Sequence, residues 1–157
     1  MLLILWHSRT GASRAMAQAA LAGAQGRATI LPAADAGPED LLAAAGYLFA
    51  CPENLGTMSG PMKDLFDRCY YPLLGRIEGR PYASMIAAGS DGQGAQAQLD
   101  RIVTGWRLRR VAEPMIAMLG AQTPEQILRE KVLEPPVLAQ CSELGAALAQ
   151  GIDMGVF

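Results

Sequence analysis

Residues 2–13 read LLILWHSRTGAS. Leu2 to Trp6 is an unbroken apolar run, the pattern of a strand buried on both faces rather than one with a wet side. The string His7-Ser8-Arg9-Thr10-Gly11-Ala12-Ser13 is small and polar. Behind it Ala17, Ala20, Leu21 and Ala24 fall at i, i+3, i+4 and i+7, one apolar helix face that Gly26 can close. The opening unit is therefore strand, tight loop, helix. A strand buried on both faces needs helices above and below it, so this unit predicts an alternation of strands and helices along the chain.

The remaining sequence keeps that rhythm. Arg27 to Leu31 is a short second strand, and Pro38 opens a short helix with Glu39 and Asp40 in its first turn. Gly46 to Cys51 is a third buried strand that runs into a loop, Pro52 to Gly60. Pro61 opens the strongest helix: Met62, Leu65, Phe66 and Cys69 form its apolar stripe, while Lys63/Asp67 and Asp64/Arg68 pair at i, i+4 on the wet side. Tyr82 to Ala88 is a fourth strand, Gly89 to Gly94 a second glycine-rich loop, and Ala95, Leu99, Ile102, Val103 and Trp106 mark the next helix. Arg110 to Leu119 reads as a fifth strand, which Pro114 confines to a sheet edge. Thr123-Pro124-Glu125-Gln126 is a capping box for a short helix, and Pro135-Pro136 precedes a last helix with Val137, Cys141, Leu144 and Leu148 facing inward. The expected fold is α/β: a five-stranded, doubly wound parallel sheet of order 2-1-3-4-5, covered on both faces in a three-layer α/β/α sandwich.

Composition narrows the function. The 157 residues are expected to form one domain, residues 1–157, and a 51 % hydrophobic content is ample for its core. With 13 basic against 15 acidic residues, no electrostatic track for nucleic acid or anionic lipid is expected. Cys51, Cys69 and Cys141 lie far apart without Cys-x-x-Cys spacing, and His7 is the lone histidine, so a zinc site fails on ligand count. Scattered, unpaired thiols read as reduced and cytoplasmic. The run Leu2 to Trp6 is too short for a membrane span or a secretory core, so a soluble protein is expected.

In a doubly wound sheet, ligands sit at the carboxyl ends of the strands where the strand order reverses. The loops after strands one, three and four meet there. In Ser8-Arg9-Thr10-Gly11-Ala12-Ser13, amide groups and three hydroxyls would converge on an anion at a helix N-terminus. The loop lacks the spaced glycines of a dinucleotide site and the Gly-Lys-Ser/Thr of a triphosphate site, so a monophosphate fits it better. Pro52 to Gly60 and Gly89 to Gly94 offer backbone donors and acceptors with few bulky side chains, suited to the edge of a flat polar ring. A planar heteroaromatic with one phosphate is FMN.

These residues carry a resemblance. Ser8 to Ser13 resembles the phosphate loop of flavodoxins. Pro52 to Arg68 resembles the flavin-edge segment of flavodoxin-like NAD(P)H-dependent FMN reductases and of the quinone reductases named for tryptophan-repressor binding. Pro52, Gly56, Met58, Ser59 and Gly60 match that pattern position by position; Glu53 stands where the family usually has Thr, and Thr57 where it has Asn. The resemblance covers residues 1 to about 115. It implies a flavodoxin-like fold binding FMN non-covalently, with Ser8, Arg9, Thr10, Gly11, Ala12 and Ser13 on the phosphate. Pro52, Glu53, Asn54, Leu55, Gly56, Thr57 and Met58 would lie along the isoalloxazine, and Gly89, Ser90, Asp91 and Gly92 at its far edge.

Electron-carrying flavodoxins are strongly acidic as a family and stack aromatic side chains on the flavin. This chain has a net charge of −2 and no aromatic residue in either ring-facing loop. The expected activity is two-electron transfer from NAD(P)H through FMN to a quinone or similar small acceptor, with a one-electron carrier reduced by a partner protein as the alternative. A homodimer is expected, because an open ring site is often completed across a two-fold. A phosphoryl-accepting receiver domain would need an acidic pair where His7-Ser8 stands, and a low-molecular-weight phosphatase a cysteine in the first loop; both fail. His7 reads as a tautomer fixed by a backbone partner, and Cys51, Cys69 and Cys141 as packing residues. Glu53 is open between a solvated carboxylate and one that would oppose a reduced, anionic ring. Tyr70 and Tyr71 read as local packing, and Arg107, Arg109 and Arg110 as a solvated face. Residues 120–157 carry no functional signal.

Overall fold

Leu2–Trp6 forms strand β1, and Leu2 to Leu5 are buried on both its faces, as consecutive apolar side chains require. In the computed structural model, which describes residues 1–157, the chain continues through α1 (Ala12–Gly23), β2 (Ala28–Pro32), α2 (Pro38–Ala43), β3 (Gly46–Asn54), β4 (Thr57–Met58), α3 (Gly60–Leu73) and β5 (Pro81–Ala88). It ends in α4 (Gln93–Gly105), β6 (Arg109–Arg110), β7 (Met115–Met118), α5 (Pro124–Leu128) and α6 (Pro135–Asp153). β1 lies between β2 and β3, all parallel; β5 pairs with the other side of β3, and β6 and β7 both pair with β5 at the edge. With β5 as the fourth strand and β6–β7 together as the fifth, this is the expected order.

Two details differ from the sequence reading. The edge strand is broken rather than continuous from Arg110 to Leu119. Arg110 pairs with Tyr82 and Met115 with Met85, so the edge uses two more residues than β5 between the two pairs, and the surplus is looped out around Pro114. Proline has no amide to give a ladder, and the edge is where such a break is tolerated. The segment Pro52 to Gly60 is also less loop-like than expected. β3 runs on to Asn54 and turns back into β4, with Glu53 opposite Met58 and Asn54 opposite Thr57. The two turn residues, Leu55 and Gly56, have φ of 53° and 74°, the double positive φ of a hairpin turn that matches strand twist.

Alternate residues of each strand feed two separate cores. Leu3, Leu5, Tyr47, Phe49, Tyr82 and Ile86 face α2, α3 and α4, where the α3 stripe Met62, Leu65, Phe66 and Cys69 is buried as its spacing predicts. This core is aromatic: Phe49 and Phe66 have ring centroids 5.1 Å apart, and Phe66 and Trp106 5.0 Å. Its wet side carries the i, i+4 pairs, Lys63 to Asp67 and Arg68 to Asp64, each at 2.6 Å. Leu2, Ile4, Leu48, Ala50, Ala83 and Met85 face α1 and α6 instead. That core has no buried aromatic ring and is rich in alanine, and the helices touch. A Cβ placed on Gly145 of α6 would stand 2.0 Å from the Ala20 carbonyl oxygen of α1, so only glycine permits the approach. No helix is long and apolar enough to cross a membrane.

Candidate functional site

The carboxyl ends of β1, β3 and β5 open into a cleft of about 320 Å³. Its first wall is the loop from β1 into α1. Gly11 is the N-cap of α1 at φ 97°, with no side chain capping the helix, and the first amides of a helix have no acceptor within it. Ser8 Oγ accepts from the Gly11 amide at 3.0 Å, which curls the loop into a cup. Ser8, Arg9, Thr10, Ala12 and Ser13 line the cleft, whereas Gly11 does not. The Ser13 side chain is 1 % exposed and its Oγ has no hydrogen-bond partner within the protein. A buried hydroxyl without a partner is costly, so one on a residue that borders a cleft beside free helix amides fits an anion.

The second wall is the β3–β4 hairpin. Pro52, Glu53, Asn54, Leu55 and Gly56 line the cleft, with Leu55 fully exposed at the tip. Thr57 and Met58 do not: Thr57 Oγ1 donates back to Asn54 O at 3.1 Å, and Met58 is buried, its amide donating to Gln98 Oε1 at 2.8 Å. Glu53 is turned inward across the hairpin. Its Oε1 accepts from the Gly92 amide at 2.8 Å and its Oε2 from the Ala95 amide at 3.0 Å, so the carboxylate caps the N-terminus of α4. Two charge-assisted bonds at the positive end of a helix dipole decide against the solvated position.

The third wall holds Gly89 and Ser90, with Ala87 at the end of β5. A Cβ at Gly89 would meet Ala121 O at 2.4 Å, so glycine lets the following segment pass. Gly92, the N-cap of α4, and the exposed Asp91 stand outside the lining. The segment after β7 forms a fourth wall that carries no functional signal in the sequence. Leu119, Ala121, Ile127, Leu128 and Lys131 all line the cleft. The clue was topological: a segment leaving the carboxyl end of the edge strand emerges at the end of the sheet where ligands sit.

No aromatic residue lines the cleft. Tyr70 and Tyr71 pack on each other with ring centroids 5.1 Å apart, away from it. Arg107 and Arg110 make ion pairs with Glu78 and Asp100, so that arginine run is structural and exposed. His7 lies just behind the phosphate-type loop, and its partner is a side chain, not backbone: Nδ1 is 2.9 Å from the buried Ser59 Oγ. Burial first, then the neighbouring Arg9 charge, hold its pKa below the usual 6.5. Burial pushes the Cys51 thiol up to about 12, outweighing hydrogen bonds with Ser59, so this cysteine is inert packing. Cys69 and Cys141 are likewise buried. The cleft thus has an anion-binding end and a slot walled by backbone and small side chains.

The family profile described as NADPH-dependent FMN reductase matches residues 25–122. A flavodoxin of Aquifex aeolicus (strain VF5) is 32 % identical over 106 residues; the match covers 65 % of this chain and spans only 57 % of that protein's length. Among solved structures, a flavodoxin from the domain Archaea superposes with a TM-score of 0.77 at 15 % identity, covering 97 % of this chain and 98 % of that one. The flavodoxin, WrbA-like protein from Agrobacterium tumefaciens gives 0.77 at 19 % identity, with 98 % and 97 % covered. Megasphaera elsdenii flavodoxin gives 0.72 at 17 % identity, with 96 % and 99 % covered. At these identities the structures speak for the fold alone, and the fold is flavodoxin-like.

Proposed function

The chain belongs to the NADPH-dependent FMN reductase family, and from that premise we propose that it binds FMN in the cleft and uses it to pass two electrons from NAD(P)H to a quinone or similar small acceptor. The observation that carries this reading is the buried Ser13 hydroxyl, without a partner in the protein, at the uncapped N-terminus of α1. It suits a single phosphate: the amides of the first helical turn and the hydroxyls of Ser8, Thr10 and Ser13 hold the anion, and Arg9 adds charge beside it. The hairpin residues Pro52 to Gly56 and the backbone at Gly89 and Ser90 flank the slot that suits the ring system. FMN, when bound, supplies the redox chemistry; the chain binds, orients and shields it.

Two observations support two-electron exchange with small molecules. No aromatic side chain lines the cleft, which leaves a ring face accessible to a second planar substrate. The net charge of −2 gives little of the field that steers an acidic carrier to a protein partner. One observation supports the second reading, a one-electron carrier: the curated relative from Aquifex aeolicus is named a flavodoxin. The test is to purify the protein, record its absorption spectrum with and without added FMN, and follow NADH and NADPH oxidation with several quinones. A flavin spectrum with acceptor-dependent turnover is expected. Bound FMN with no turnover on any acceptor, and two resolved one-electron steps in an anaerobic titration, would favour the carrier.

A further inference from the structure

The segment 119–133, which the family profile matches only as far as residue 122, carries a lysine whose surroundings are unlike those of the other lysine in the chain. Lys63 is paired with Asp67 at 2.6 Å on the surface of α3. Lys131 has no carboxylate within ion-pair distance. Its ammonium donates to Ile127 O at 2.9 Å and to Arg129 O, and it lies 3.5 Å from Thr10 Oγ1. It is half-buried and lines the cleft. Its backbone is fixed to the same place: the Lys131 amide donates to Thr10 O at 2.7 Å, and its carbonyl lies 3.6 Å from where a Cβ on Gly11 would be. The strap thus lies flat against the phosphate-type loop, holding an uncompensated cation over it. Glu130 also lies near Gly11, but its carboxylate makes no bond to Lys131.

We propose that Lys131 recognises the terminal phosphate of the bound flavin and makes the site selective for FMN over a flavin without a phosphate. This rests on the FMN reading above and assigns part of it to a residue outside the loop of Ser8 to Ser13. The chemistry is additive: a hydroxyl that accepts from an ammonium, as Thr10 Oγ1 can, keeps its own proton to donate to a phosphate oxygen, while the ammonium contributes charge that the hydroxyls and amides of the loop lack. Buried Ser13 and the free amides of α1 supply the neutral donors, and Lys131 supplies counter-charge from the strap in addition to that of Arg9 in the loop.

The experiment is a pair of fluorescence-quenching titrations, FMN and riboflavin, on the full chain and on Lys131→Gln, Lys131→Met and Lys131→Arg. Gln keeps a donor for the strap carbonyls while removing the charge. For Gln and Met, FMN dissociation constants about ten- to a hundredfold higher are expected, with riboflavin changed by less than about twofold; Arg should retain most of the FMN preference. Raising salt should weaken FMN binding more in the parent than in Lys131→Gln. Riboflavin binding by each variant reports that the cleft is folded. Equal losses for both flavins would make Lys131 a clasp of the strap only and overturn the proposal, as would an unchanged FMN affinity. If the parent chain binds neither flavin, the FMN reading itself falls and takes this assignment with it; binding of FMN with no effect of the variants overturns this assignment alone.

Discussion

At the scale of single residues, Ser13 is the clearest case of local cost retained for use. Its hydroxyl is buried without a partner in the protein, so Ser13→Ala should leave the ligand-free protein as stable as before or more stable by about 1 kcal/mol. The same change should weaken FMN binding about tenfold. Urea unfolding of the ligand-free variant and an FMN titration measure the two halves, and a marked loss of stability would mean the hydroxyl is an ordinary packing group. His7 makes a different prediction. Its pKa is lowered in the folded protein by burial and by Arg9, so between that value and the unfolded value of 6.5 the unfolded chain binds more protons. Stability from this group is therefore present above pH 6.5 and is lost as the pH falls towards the folded pKa. The urea midpoint of the parent should fall relative to that of His7→Asn as the pH falls across that range. A difference that is constant with pH would show that His7 does not titrate with folding. Ser13 was legible in the sequence because hydroxyls between a strand end and a helix start have few purposes. The His7–Ser59 bond was not, because 52 residues separate the partners and only the folded sheet brings them to 2.9 Å.

At the scale of elements, legibility followed periodicity. The α3 stripe could be read because four apolar residues at helical spacing admit one face, and all four are buried. The β3–β4 hairpin could not, because Leu55-Gly56 is not one of the usual two-residue turn sequences and Pro52-Glu53 breaks the apolar run. What holds the hairpin against α4 is Glu53, through the amides of Gly92 and Ala95. Glu53→Gln keeps an acceptor but removes the charge from the helix N-terminus, so a loss of about 1 kcal/mol is expected by chemical denaturation. Faster hydrogen exchange at Gly92 and Ala95 should accompany it; unchanged exchange there would mean that the cap does not hold the two elements together. On the other face, α1 and α6 depend on Gly145. A Cβ there would meet Ala20 O, a backbone atom that no rotamer change can move. Gly145→Ala should cost about 2 kcal/mol or more, as overpacking does. A variant as stable as the parent would show that the helices can separate freely. The short helix α5 was legible from its capping box at Thr123 and Gln126, but its place at the site was not: Ile127 and Leu128 are exposed and too few to make a stripe, so only the fold reveals that they border the cleft.

At the scale of the whole molecule, the site is assembled from four segments spread from Ser8 to Lys131, each tied to another part of the fold. The phosphate-type loop leans on the strap through Thr10 and Lys131, the hairpin on α4 through Glu53, and the Gly89 turn on the strap through Ala121, whose amide donates to Gly89 O at 3.1 Å. A ligand that touches all four therefore binds only the folded state, and its binding energy adds directly to stability. FMN at a free concentration a hundred times its dissociation constant should stabilise the fold by about 2.7 kcal/mol. For a domain of this size that is a rise in Tm of roughly 5–10 °C, measurable by differential scanning fluorimetry read from intrinsic protein emission rather than from the flavin. The dependence on concentration is the informative part: the rise should grow with the logarithm of FMN above the dissociation constant, and riboflavin matched to the same multiple of its own constant should give the same rise. Inorganic phosphate, which can satisfy only the α1 end, leaves the hairpin and the Gly89 turn unbridged, so it should bind more weakly and need a much higher concentration than FMN for the same rise. A Tm that does not move with FMN at any concentration would show that the four segments do not converge on this ligand, whatever the loop sequence suggests.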